Sequence, residues 1–274
     1  MTLHHNNIGH RRRLGTVVAV ALALVAAAAV PANALGSKPD DRRSRRLPRV
    51  FVGRAMKAGA GSGIVFSEEV ATISVRGLGN RVVEARVDRV LHDYVVARQR
   101  EFEQALPDYS TSYQPQLDLS VSVESAFASR AVTSVLFRQI VSGTALAHPF
   151  TQYDAFTFDR HGRQVDQSAL LRPGGAGELA RVASPLATTI LASRGDTACH
   201  SDAPTLASLL SESSGRYAAH LAITKNGLLT AFDDYSFGFY YCGTATITIP
   251  YRQLHHVVRP EFVPVGTHDE TDAR

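Results

Sequence analysis

From Leu117 to Glu124 apolar and polar residues alternate without a break: Leu117, Leu119, Val121 and Val123 are separated by Asp118, Ser120, Ser122 and Glu124. A period of two is the signature of a strand that buries one face and leaves the other polar. Such a strand needs cover on one side only. The cover is supplied upstream. Gly77-Leu78-Gly79-Asn80 makes a turn in which Asn80 is suited to cap a helix. From there to Leu106, Val83, Val87, Val90, Tyr94 and Phe102 recur at steps of three and four with charge between them. That spacing predicts an amphipathic helix lying across the sheet and ended by Pro107.

Further strands are expected in 64–75, 131–141 and 152–159, the last closing in the turn Asp159-Arg160-His161-Gly162. Residues 178–193 read as a helix with Pro185 as a kink, and 203–212 as a shorter one. Segments 217–224 and 228–232 flank Lys225-Asn226-Gly227, where Asn-Gly favours the positive backbone angles of a tight hairpin. The β-branched run Thr244 to Ile249 is a final strand, and Leu254 to Val258 a short helix. This order predicts an α+β fold with a mainly antiparallel sheet and packed helices.

The N-terminus carries a different message. Residues 1–13 hold no acid and end in Arg11-Arg12-Arg13, Leu14 to Val30 is apolar apart from Gly15 and Thr16, and Pro31 precedes Ala32-Asn33-Ala34. That is the pattern of a cleavable secretory signal, with the cut expected between Ala34 and Leu35. The apolar run is shorter than the roughly 20 residues a bilayer demands. The formal charge of +4 is an effect of position. Six of the basic residues and only two acids fall in 35–49, while 50–274 holds 20 basic and 23 acidic residues. The body is therefore slightly acidic and gives no basis for a nucleic-acid partner. The basic arm is expected to be a solvated linker, with weak contact to anionic membrane as the alternative. The expected plan is a signal at 1–34, a linker at 35–49, a strand and helix at 50–109, the main domain at 110–258 and a loose tail at 259–274.

An exported chain meets oxidising conditions, so Cys199 and Cys242 are expected to pair. Closing 43 positions of chain would contribute about 3 to 4 kcal/mol on the entropic account. A metal site is not expected, because structural zinc needs four ligands and beyond the adjoining His200 no second His or Cys lies at ligand spacing. No cofactor motif occurs either: the glycine, P-loop and metalloprotease patterns are absent, and Gly59-Ala60-Gly61-Ser62-Gly63 has its serine out of phase for a nucleophile elbow.

Three blocks carry a resemblance. They are Val132 to Phe137 with Gly143 and Ala147-His148-Pro149; Phe156 to Asp159 with Gly162; and Thr224 to Leu254, which contains Lys225-Asn226-Gly227-Leu228, Phe232-Asp233-Asp234-Tyr235, Gly243 and Ile247 to Tyr251. In this order they resemble the RsiV-like extracytoplasmic domain of lysozyme-sensing anti-sigma factors, which also occurs beside peptidoglycan deacetylases and in secreted mycobacterial immunogenic proteins. The resemblance spans about 110–258. Only thirteen residues precede the apolar run, so it points to the stand-alone secreted members rather than to an anchored sensor.

Candidate catalytic residues are His148, Asp233 and Asp234, the histidine serving either a turn or chemistry and the carboxylates either backbone capping or general acid and base work. His255 and His256, being adjacent, make a poor chelate. The richest segment is Phe232 to Tyr241. Phe232 and Phe239 are expected in the core, while Tyr235, Phe237, Tyr240 and Tyr241 offer flat amphipathic surface for a protein or cell-wall glycan. The leading expectation is a secreted, monomeric, non-enzymatic binding protein of the cell envelope; an envelope hydrolase and a membrane-attached protein are the alternatives.

Overall fold

The computed structural model describes residues 47–61, 63–109, 115–193, 206, 208, 210, 219–234, 236 and 243–264. Nine strands and two α-helices have full ranges among them, and residues 206, 208 and 210 are helical as well. Strands β1 (Arg49–Gly61), β2 (Ile64–Arg76), β3 (Gln116–Ala128), β4 (Val132–Gly143), β5 (Phe150–Asp159) and β6 (Gln164–Val165) form one sheet in that order. Every neighbouring pair is antiparallel except β2 and β3. A parallel pair needs a crossover, and helix α1 (Arg81–Ala105) supplies it. Asn80 caps α1 by accepting from the amides of Val82 at 2.8 Å and Val83 at 3.4 Å.

The apolar set of the Leu117 alternation faces α1. Leu117, Leu119 and Val121 are buried together with Val87, Leu91, Tyr94 and Phe102 of the helix, as the period-two pattern required. Strands β7 (Ala219–Ile223), β8 (Gly227–Phe232) and β9 (Ala245–Pro250) form a second, antiparallel sheet. Its odd β7 positions, Leu221 and Ile223, join Leu228, Phe232, Ile247 and Ile249 in a core with helix α2 (Gly175–Ala192). Its other face, through Ala222, Leu229 and Ala231, meets Leu136 and Tyr153 of the large sheet. The layers therefore run α1, large sheet, small sheet, α2. This is the expected α+β architecture, with sheets that are mainly antiparallel.

Three local readings differ. Gly227 is not in the left-handed region; it is required because a Cβ there would lie 2.2 Å from the Ile249 carbonyl oxygen. The turn is held instead by Thr224, whose hydroxyl oxygen accepts from the amides of Asn226 and Gly227. After Pro250 the chain makes a 3-10 turn, Tyr251–Gln253, with no helix over 254–258. Where a loose tail was expected, Arg259 donates to the Leu171 carbonyl at 3.1 Å and Phe262 packs into the α2 core. Pro185 sits inside α2, and Thr189 donates its hydroxyl to the Pro185 carbonyl one turn back.

Candidate functional site

The β7–β8 hairpin sets His220 opposite Ala231. Residues alternate faces along a strand, so His220 points between the two sheets, and Asp233, two positions beyond Ala231, becomes its diagonal neighbour. His220 Nε2 lies 3.1 Å from Asp233 Oδ2, within hydrogen-bond reach. Asp233 Oδ1 accepts from the Tyr153 amide at 2.6 Å, and Asp234 Oδ2 from the Thr151 amide at 2.6 Å. The Asp234 amide returns a bond to the Thr151 carbonyl at 3.1 Å.

The cause lies in β5. Its first half pairs with β4 on one side, while β6 reaches only Thr157 and Phe158 on the other. The outer amides of Thr151 and Tyr153 would be orphaned donors in a buried place. Two carboxylates seal that edge with charge-assisted bonds, which are about twice as strong as neutral ones. Asp233 is 2% exposed and Asp234 7%. Burial pushes the Asp234 carboxyl above its ordinary range, against the pull of the Thr151 amide, and His148 is near enough to draw it back down. His148 itself lies before β5, with Nδ1 2.9 Å from the Pro149 carbonyl.

On the α1 side of β5, the Tyr94 hydroxyl donates to Asp154 Oδ2 at 2.7 Å, and Arg98 stacks over the Tyr94 ring at 5.4 Å. Burial pushes the Asp154 carboxyl up, opposed by the Tyr94 bond and by the charges of His220 and Arg98. Desolvation likewise raises both tyrosines, Tyr94 and Tyr153.

Asp233 and Asp234 are thus brought together on the β5 edge, with His148 just before that strand, and Phe232 is in the core as expected. The rings of His255 and His256 lie 3.8 Å from each other. Tyr235, Phe237, Tyr240 and Tyr241, the pair Cys199 and Cys242, and the cut between Ala34 and Leu35 fall outside the described residues. Among the described residues no group of three ligand-type side chains could hold a metal, and no helix is long and apolar enough to cross a membrane.

His220 was not among the sequence candidates. Its signal was present: a lone imidazole in the apolar strand Ala219-His220-Leu221-Ala222-Ile223, thirteen positions before Asp233 on a hairpin of known turn. Asp154 and Tyr94 gave no signal, since each fills a regular place in its own element's pattern.

No protein-family profile matches the sequence, and no curated protein matches it. Solved structures do. A DUF3298 family protein from Pseudomonas aeruginosa PAO1 is similar over 81% of this chain and 99% of its own, with a TM-score of 0.51 at 18% identity. A DUF3298 family member from Bacteroides fragilis NCTC 9343 is similar over 78% of this chain and 94% of its own, with a TM-score of 0.45 at 11% identity. The likeness to the Pseudomonas protein is one of fold.

Proposed function

We propose that this is an exported, non-enzymatic binding domain of the RsiV-like type, acting at or beyond the cell envelope through the aromatic segment 235–241. One observation carries the reading: Asp233 and Asp234, the acids at the head of that segment, are buried and committed to the β5 amides. Carboxylates engaged in this way tie the root of the aromatic segment to a rigid sheet. A contact surface with a fixed root loses less entropy on binding. The order of the sequence blocks and the secretory pattern support the same compartment.

The test is sedimentation of the mature protein with purified peptidoglycan and, separately, its binding to lysozyme, the protein that the RsiV-type domain senses. Tyr235→Ala with Tyr240→Ala should weaken whichever binding is seen by about tenfold or more, given the weight aromatic anchors carry. Unchanged binding in the double variant would remove the segment from the reading. A hydrolase is the second reading, favoured by the 3.1 Å contact of His220 with Asp233 beside Asp234. Release of soluble fragments from peptidoglycan, abolished in Asp234→Asn, would put it first.

A further inference from the structure

The large sheet has two faces, and the one turned away from α1 is covered only in part. Leu136, Tyr153 and Ala155 on that face lie under the small sheet. Next along β4 comes Arg138, which the register sets beside Ser122 of β3 and Tyr153 of β5. Its charge bears on the Tyr153 hydroxyl, which donates to the Thr244 hydroxyl oxygen at 3.4 Å. Ser122 donates to the Arg138 carbonyl at 3.4 Å, and one strand further a depression of about 90 Å³ is lined by Ser120, Ser122, Ala71, Glu69 and Arg54.

Arg138 is unusual among the described cations. Arg54, Arg76, Arg98, Arg163 and Arg181 each meet a carboxylate, and Arg81, Arg89 and Arg252 stand out in solvent. Arg138 is drawn half into the fold, its Nε is fully covered, and that Nε meets no acceptor. No carboxylate among the described residues comes within ion-pair distance, although Glu124 and Asp233 act on the same Tyr153 hydroxyl. A half-buried guanidinium with an uncompensated donor, set by the register beside the Ser122 and Tyr153 positions, is costly unpaired and suited to a planar anion.

We infer that Arg138, with the hydroxyls of Ser120 and Ser122, is the anchor of a carboxylate-binding site on this face, taking the acid group of a sugar or of a peptide. The inference rests on the binding role proposed above and names the ligand chemistry for it. The carboxylate meets the terminal guanidinium nitrogens side-on, while the Ser120 hydroxyl donates to, and the Ser122 hydroxyl oxygen accepts from, flanking polar groups of the same ligand.

The experiment is an NMR titration that follows the Arg138 Nε–H signal, which its covered position shelters from exchange. Two matched pairs serve as probes: N-acetylmuramic acid against N-acetylglucosamine, and acetyl-Gly-Glu-Gly-amide against acetyl-Gly-Gln-Gly-amide. At least one acid should move the signal saturably while its neutral counterpart does not, and the tighter acid identifies the source as glycan or peptide. Arg138→Gln should weaken that acid by roughly ten- to a hundredfold, the range of a lost charged hydrogen bond, with Arg138→Lys between. Equal response to acid and neutral probes, no response to either acid, or full binding by a folded Arg138→Gln protein overturns the site. Should Arg138→Gln lose its far-UV circular dichroism, the wild-type titration decides alone. Failure here with intact, tyrosine-dependent envelope binding leaves the proposed function standing, whereas loss of envelope binding altogether strikes that function first.

Discussion

The two sheets solve burial differently. In the large sheet β3 alternates, with Leu117, Leu119 and Val121 under α1 and Ser120 and Ser122 on the opposite, partly open face. In the small sheet every residue of β7 and β8 is buried, because α2 covers one face and the large sheet the other. A polar residue on the open stretch of β3, such as Ser122, faces water. In the second sheet it must find a partner or carry an uncompensated cost, so His220 and Thr230 are informative where Ser122 is not.

The largest effects that would break this contrast are core truncations. Phe232→Ala, at a fully buried position, should cost about 3 to 5 kcal/mol in urea unfolding, whereas Val65→Ala, 48% exposed, should stay within roughly 0.5 kcal/mol. Similar losses would mean that the two sheets are equally buried. Next comes Asp233→Ala, which orphans the Tyr153 amide and strips His220 of its partner; a loss of about 3 kcal/mol is expected in the same assay, and Asp233→Asn should recover part of it.

A pH profile sharpens the same boundary. The folded-state value of Asp154 is raised above its ordinary 3.8, so the folded protein holds this proton more tightly than the unfolded chain. The stability linked to it is fully present below the unfolded value and is lost as pH rises through the folded one. Asp154→Asn, which can still accept from Tyr94, should remove that part of the slope, gaining on wild type as pH rises. Parallel profiles for the two proteins would contradict the burial of Asp154. Smaller again, Thr230→Val replaces a fully buried hydroxyl that has no partner and should gain roughly 1 kcal/mol. Smallest is Arg54→Ala: its contact with Glu69 is 79% and 41% exposed on the two sides, and surface pairs of this kind contribute under about 1 kcal/mol.

Legibility in the sequence followed the same division. The alternation in β3, the α1 spacing with its Asn80 cap, and the β7–β8 hairpin were all readable, because each depends on a local period or a local turn. Strand β1 was not, since Ala58-Gly59-Ala60-Gly61 has low strand propensity and is held by its register with Ile64 to Ser67. The pairing of Asp233 and Asp234 with β5 was also hidden: it joins positions about 80 apart, and nothing in either segment alone says which strand edge needs sealing. His220 fell between the two cases, readable only once the hairpin register is known.

The single parallel seam between β2 and β3 has a consequence for how the chain gets to this fold. The β1–β2 hairpin and the β3–β4–β5 meander each close over short stretches of sequence, so each can form early from neighbours. The seam joins Val65 to Gln116 and ends at Val70 with Val121, and it cannot be made until the whole crossover has been spanned and its loop entropy lost. The assembly order is therefore written into the topology: two quick local pieces, and a slow zipping step for which α1 is the hinge pin.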